Sequence, residues 1–182
     1  MKKILLILIS VLALAGMAKA QSITFSKGTG MLNAGLGMGS TLYSSGHSML
    51  IPPVSVSYDH SILSGFIDGN GSIGLGGYLG YTAARYKYNE NRIDSNYLIL
   101  GVRGTFHYEF VPKLDSYLGL MFSYTFSNSN MSGFLGPKPD SDTTFGYSGF
   151  LGLRYMFTPR FGGFAEFGYG VSFGNIGLSW RF

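Results

Sequence analysis

The chain of 182 residues contains no cysteine, so no disulfide contributes to its fold. Charge is scarce too. Asp, Glu, Lys and Arg make up 12% of the residues, against about 25% in ordinary soluble proteins. There are only three histidines, His47, His60 and His107, which leaves little material for acid–base catalysis. Beyond the N-terminal twenty residues no apolar run approaches the roughly 20 residues of a bilayer-spanning helix. No segment has helical spacing either.

What is abundant is glycine, with 28 residues, and aromatics, at 16%; the formal charge is +4. A basic, glycine- and aromatic-rich chain first suggests nucleic-acid binding. The N-terminus removes that reading. Lys2 and Lys3 precede an apolar run from Ile4 to Ala18, and Ala18-Lys19-Ala20 supplies small residues two apart. These are the parts of a secretory signal peptide, and the run is too short for a membrane anchor. Cleavage after Ala20 is expected, leaving residues 21–182 as one domain. It removes three lysines and leaves ten cations against nine acids, a net charge of +1. No nucleic-acid partner is then expected. A chain so poor in charge and rich in aromatics makes sense if much of its surface does not face water.

The dominant pattern has period two. Leu32, Ala34, Leu36 and Met38 alternate with Asn33, Gly35, Gly37 and Gly39. Leu98, Leu100, Val102, Phe106 and Tyr108 alternate with Gly101, Arg103, Thr105 and His107. Similar runs lie around Val54–Asp59, Ser72–Ala83, Leu118–Phe126, Phe145–Tyr155, Ala165–Gly170 and Asn175–Phe182. Side chains of a strand point alternately to two faces, so each run predicts a strand with one apolar face. Eight strands result. Three connections look short, near Ser64–Asn70, Glu109–Lys113 and Thr158–Arg160. Three look long, at Ser40–Ser48, Tyr88–Ser95 and Ser127–Thr143. The last, near Ser172-Phe173, is short. Eight strands of about 9 to 11 residues, with short turns at one end and longer loops at the other, predict an antiparallel up-and-down transmembrane barrel.

The apolar parity must face outward. It carries roughly three dozen side chains, and an eight-stranded barrel has room inside only for a modest filling. The Gly/Ser/Thr/Asn parity suits that narrow lumen. Phe106, Tyr108, Tyr155, Phe161, Trp180 and Phe182 gather near the short-turn end. Tyr81, Tyr124, Phe126, Phe145, Tyr147 and Tyr169 gather near the long-loop end. Two aromatic bands around an aliphatic belt match the two membrane interfaces.

With the signal peptide, the eight strands and the ending Gly177-Leu178-Ser179-Trp180-Arg181-Phe182, the chain resembles the small eight-stranded outer-membrane barrels of Gram-negative bacteria, the group of OmpX/Ail and the OmpA membrane domain. The resemblance covers essentially all of residues 21–182. It implies an outer-membrane location with a periplasmic N-terminus, and a monomer in contact with outer-membrane lipid and lipopolysaccharide. It also implies a final strand, with Trp180 and Phe182, that is read by the barrel assembly machinery. The fold hosts structural proteins, adhesins, narrow pores and a few enzymes, so it does not by itself assign a role.

The lumen parity holds Asp59, Arg103, His107, Arg154, Glu166 and Arg181. Charges in a narrow lumen must pair. Glu166 is expected to meet Arg103 or Arg154, and Asp59 an arginine or His107. Such a network closes the lumen; a selectivity filter is the alternative. Tyr78, Tyr97, Met121, Phe150 and Phe164 share the inward parity and fill space. No catalytic residues, metal ligands or cofactor are expected. No histidine sits with a serine and a carboxylate on an outward strand, as a lipid-modifying barrel enzyme would need. Gly35-Leu36-Gly37 and Gly74-Leu75-Gly76-Gly77 lack the following helix of a phosphate-binding loop.

The loops remain. Phe134 and Leu135, an apolar pair in the longest loop, either contact a surface partner or pack on the rim. Arg85 and Lys87, just beyond an aromatic band, either bind lipopolysaccharide phosphates or simply extend to the interface. The expected function is a non-enzymatic barrel with a filled lumen, acting in envelope integrity or surface interaction through its loops. A narrow pore for ions or small solutes is the alternative, and a lipid-modifying enzyme a third reading.

Overall fold

The computed structural model describes residues 23–43, 47–88, 91–132 and 138–182. The signal-peptide segment, residues 1–20, lies outside the described residues. The strands are β1 (Gly30–Met38), β2 (His47–Phe66), β3 (Gly71–Tyr88), β4 (Asn91–Val111), β5 (Leu114–Ser132), β6 (Lys138–Met156), β7 (Phe161–Tyr169) and β8 (Gly174–Arg181). Each pairs antiparallel with its sequence neighbours, and β1 closes on β8 from Met31↔Arg181 to Met38↔Gly174. Closure leaves no free edge around the ring, which a sheet surrounded by lipid requires.

The barrel wall is uneven. β1, β7 and β8 have 9, 9 and 8 residues, whereas β2 to β6 have between 18 and 21. Most of the expected loops Tyr88–Ser95 and Ser127–Thr143 are therefore strand. The β3–β4 pairing runs unbroken to Tyr88↔Asn91, and the β5–β6 pairing to Met131↔Lys138. Alternation fails to report these extensions because both of their faces meet water, so neither needs to be apolar. The five long strands form a tall wall on the long-loop side. β7 pairs with β6 only from Gly149 to Met156, so among the described residues Asp140 to Tyr147 have no ladder partner on that side. Exposed Asp140 and Asp142 guard that edge with charge, and Pro52 occupies the corresponding stretch of β2 above β1.

The faces sort as their parity predicts. Leu36, Val102, Leu120, Leu151 and Tyr147 stand exposed on the outside. Asn33, Ser57, Thr105, Ser123 and Ser179 are buried within. At the short-turn end Tyr108 meets Phe110, and Phe157, Phe161 and Trp180 meet in sequence. Near the other end Phe122 and Tyr124 both pack on Phe145.

The segment before β1 has no regular structure, yet it is held firmly. Gly28 donates its N–H to the Ser61 carbonyl, Ser61 returns one to Thr29, and the Ser61 hydroxyl donates to the Phe25 carbonyl. Phe25, 1% exposed, is packed with Met31 and Met156 inside the short-turn mouth. The sequence reading did not anticipate this plug, because one Phe in a polar stretch has no periodicity to reveal it.

Candidate functional site

The lumen is filled in three layers. At the short-turn mouth, the Phe25 ring lies 4.1 Å from that of His107. At the long-loop mouth, Ile99, Met121 and Val171 form an apolar lid backed by Leu42, Tyr78, Tyr97 and Phe150. Between them lies a polar layer built on two arginines.

Arg103 of β4 sits among carboxylates from opposite walls. Its Nη2 donates to Glu166 Oε1 at 2.7 Å, and its Nε lies 3.0 Å from Asp59 Oδ1, close as an ion pair but outside hydrogen-bond geometry. Its guanidinium also lies over the Phe150 ring, 4.3 Å from the centroid. Arg154 of β6 donates from Nη1 to Asp115 Oδ2 at 2.7 Å and from Nη2 to Asn33 Oδ1 at 3.3 Å, with Asp59 at 3.9 Å. The Tyr117 hydroxyl donates to Glu166 Oε1 at 2.9 Å. Asn33 Nδ2 donates to Ser57 and Asp59, and the Ser179 hydroxyl donates back to Asn33 Oδ1. Seven of the eight strands, all but β3, contribute to this web. Charge-assisted bonds of this kind are the strong ones, and in a low-dielectric interior they fix side chains in place.

Glycine makes room for it. Gly152 stands opposite Tyr117 in the β5–β6 ladder, and a Cβ there would overlap the Tyr117 ring. Only the bare backbone lets that ring lie flat and reach Glu166.

Five of the six expected lumen residues, Asp59, Arg103, His107, Arg154 and Glu166, come together. Glu166 meets Arg103, and Asp59 meets Arg103 with Arg154 nearby, as expected. Arg181 does not join. It lies half-buried at the short-turn rim, its N–H bonded to the Arg160 carbonyl, and it makes no ion pair among the described residues. Strand β8 ends there, so the inward parity at Arg181 opens to the rim. Asp115, Asn33, Ser57, Tyr117 and Ser179 were missed. Asp115 escaped because strand 5 shows its apolar alternation only from Leu118. It begins at Leu114, which puts Asp115 on the inward parity of Tyr117 and Met121.

His107 bonds Asp115 through Nδ1 at 2.9 Å and Thr105 through Nε2 at 2.8 Å. Carboxylate, imidazole and hydroxyl in line have the order of a hydrolytic triad. All three are nevertheless buried under Phe25, so no substrate reaches the Thr105 hydroxyl. No group of three His, Asp or Glu side chains suited to a metal ion occurs among the described residues.

Outside the lumen, Trp180 and Phe182 face outward at the end of the chain. The Phe182 N–H bonds the Gly30 carbonyl at 2.9 Å, which seals the β1–β8 seam. Phe134 and Leu135 lie outside the described residues. Arg85 gives Nε to Asp94 Oδ1 at 2.6 Å and Nη2 to Oδ2 at 3.2 Å, and Arg92 also bonds Asp94. Hydrogen bonds from Arg92 and then Arg85 hold the Asp94 carboxyl well below the usual carboxylate range. Lys87 lies on β3 in register with Arg92, and its side chain is outside the described residues.

A closed ring of eight antiparallel strands with a polar, filled interior and an apolar exterior decides the fold class. The fold is that of a small outer-membrane barrel. Ail, the attachment invasion locus protein of Yersinia pestis, matches with a TM-score of 0.55 and 15% identity over 86% of this chain and 99% of that one. Ail in complex with the heparin analogue sucrose octasulfate matches at 0.56, with 15% identity and the same 86% and 99% coverage. The N-terminal β-barrel domain of Pseudomonas aeruginosa OprF matches at 0.53, with 14% identity over 86% and 98%. At these identities the likeness is one of fold. No family model matches the sequence, and no curated protein does.

Proposed function

We propose that the chain is exported, loses residues 1–20 and inserts into the outer membrane of a Gram-negative bacterium as a barrel that neither conducts nor catalyses. The observation behind this reading is the buried Arg103–Arg154 web, which ties opposite walls together across the lumen between two further plugs. A water-filled pore would need those charges solvated instead. The role left to such a body is mechanical and superficial. Its outward belt anchors it in lipid, its last strand, ending on Trp180 and Phe182, serves the assembly machinery, and its tall wall β2–β6 presents the surface for contact. The Arg85–Asp94–Arg92 cluster is assigned to hairpin cohesion rather than to lipopolysaccharide phosphate, because Asp94 already engages both arginines.

Planar-bilayer recording tests the closed lumen. The purified barrel is expected to insert without resolved current steps; sustained unitary conductance would overturn the reading in favour of a narrow pore. Replacing residues 127–143 by a short turn separates anchor from contact surface. Heat-modifiable gel migration should persist, while attachment of whole cells to a host surface should fall; unchanged attachment sinks the contact role.

A further inference from the structure

The buried carboxylates of the lumen outnumber its buried arginines. Asp59, Asp115 and Glu166 face Arg103 and Arg154, three carboxylates to two guanidiniums, and His107 bonds Asp115 through Nδ1 and Thr105 through Nε2. A carboxylate without an arginine of its own, in an interior poor in water, is costly unless something positive lies beside it. The excess is local. Arg154 is engaged by Asp115 at 2.7 Å and approaches Asp59 only to 3.9 Å, whereas Arg103 is shared by Asp59 at 3.0 Å and Glu166 at 2.7 Å. Glu166 uses one oxygen for both of its hydrogen bonds, from Arg103 and Tyr117.

Arg103 and Glu166 line a pocket of about 40 Å³, together with Tyr78, Ser148 and Asn175, that reaches the β7–β8 turn at Val171. Ser148 and Asn175 are 7% and 8% exposed, and Ser148 Oγ and Asn175 Oδ1 find no hydrogen-bond partner among the described residues. The Asn175 amide is held with its oxygen free, since Nδ2 donates to Ser55 at 3.0 Å. Two unpartnered buried oxygens and a half-used carboxylate therefore share one small pocket, beside the arginine that two carboxylates share. An all-oxygen set with one carboxylate suits a hard cation of low charge and not a nitrogen- or sulfur-preferring metal. The volume is enough for one ion with little accompanying water.

We propose that this pocket binds a monovalent alkali cation, held by Glu166, Ser148 and Asn175, which balances the lumen charge. The barrel purified from membranes in detergent is unfolded thermally in sodium chloride or in N-methylglucamine chloride at equal ionic strength. Sodium is expected to raise Tm, by about 5–10 °C at a concentration about 100 times its dissociation constant. Glu166→Gln removes the excess charge and should make Tm indifferent to the choice of cation. Ser148→Ala keeps the charge but loses one oxygen, so the same rise should need on the order of tenfold more sodium. If the glutamine variant does not fold, the cation comparison on the unaltered chain and on Ser148→Ala still decides. Equal Tm values in the two salts would overturn the proposal and leave a water-filled pocket. A sodium effect undiminished in both variants would overturn it as well, since the ion would then bind elsewhere.

Discussion

Among the described residues arginine meets aspartate in two places, the lumen and the β3–β4 hairpin. In the lumen Arg154 and Asp115 are 0% and 1% exposed, and each has further partners from other strands. On the hairpin Arg85, Arg92 and Asp94 lie within two paired strands, and the Arg92 side chain is 47% exposed. The bond lengths are similar. The surroundings differ, and they set the consequence of losing a partner. In the lumen a widowed carboxylate has no water to turn to, while on the hairpin water replaces the arginine at once.

Replacing Arg154 with methionine should have the largest effect. Asp115 would lose its arginine and Asp59 a neighbouring cation, both in the dry interior, at a cost of about 3–5 kcal/mol. Unfolding in urea, followed by heat-modifiable migration, reads it out. Adding Asp115→Asn to Arg154→Met should recover part of the loss; no recovery would mean that packing, not charge, dominates there.

Phe25→Ala comes next. The plug is buried like the web but apolar, so the loss is that of one buried ring, about 2 kcal/mol. Its effect should stay local. Amide exchange at Gly28 and Ser61 should quicken while that of the β4–β5 ladder stays slow. Equal acceleration at both places would show that the plug and the ion web form one cooperative unit.

The hairpin cluster should respond least. Asp94→Asn is expected to leave global unfolding unchanged and only to speed amide exchange near Ala84 and Ser95. The pH dependence has a definite sign. The folded Asp94 carboxyl is held below its ordinary value, so its stabilisation is complete above about pH 4 and is lost as pH falls further. Exchange at the hairpin should therefore be indifferent to Asp94 between about pH 5 and 8 and loosen only in stronger acid. A hairpin that loosened near pH 6 would contradict the pairing.

Parts of this molecule were legible residue by residue. The inward places of Asp59, Arg103, His107, Arg154 and Glu166 follow from parity alone, since a strand's faces alternate whatever its partners are. Arg181 obeys the same parity and still stands outside the web, because parity is silent about where a strand ends. Asp115 lies ahead of Leu118, where the apolar alternation of its strand starts, so its parity goes unmarked. Tyr97 and Ile99 occupy the inward parity as well, but their use as a lid depends on Leu42 and Val171 arriving from other connections.

The sequence by itself determined the period of two, the number of strands and the face that each side chain takes, because these rest on local backbone geometry and on the separation of apolar from polar residues. Tertiary structure alone decided the height of the wall, the docking of Phe25 under His107 and the sharing of one arginine between Asp59 and Glu166. Those depend on which atoms meet across the lumen. Residues 44 and 63 positions apart become neighbours only when the ring closes, and no pattern along the chain records the distance across it.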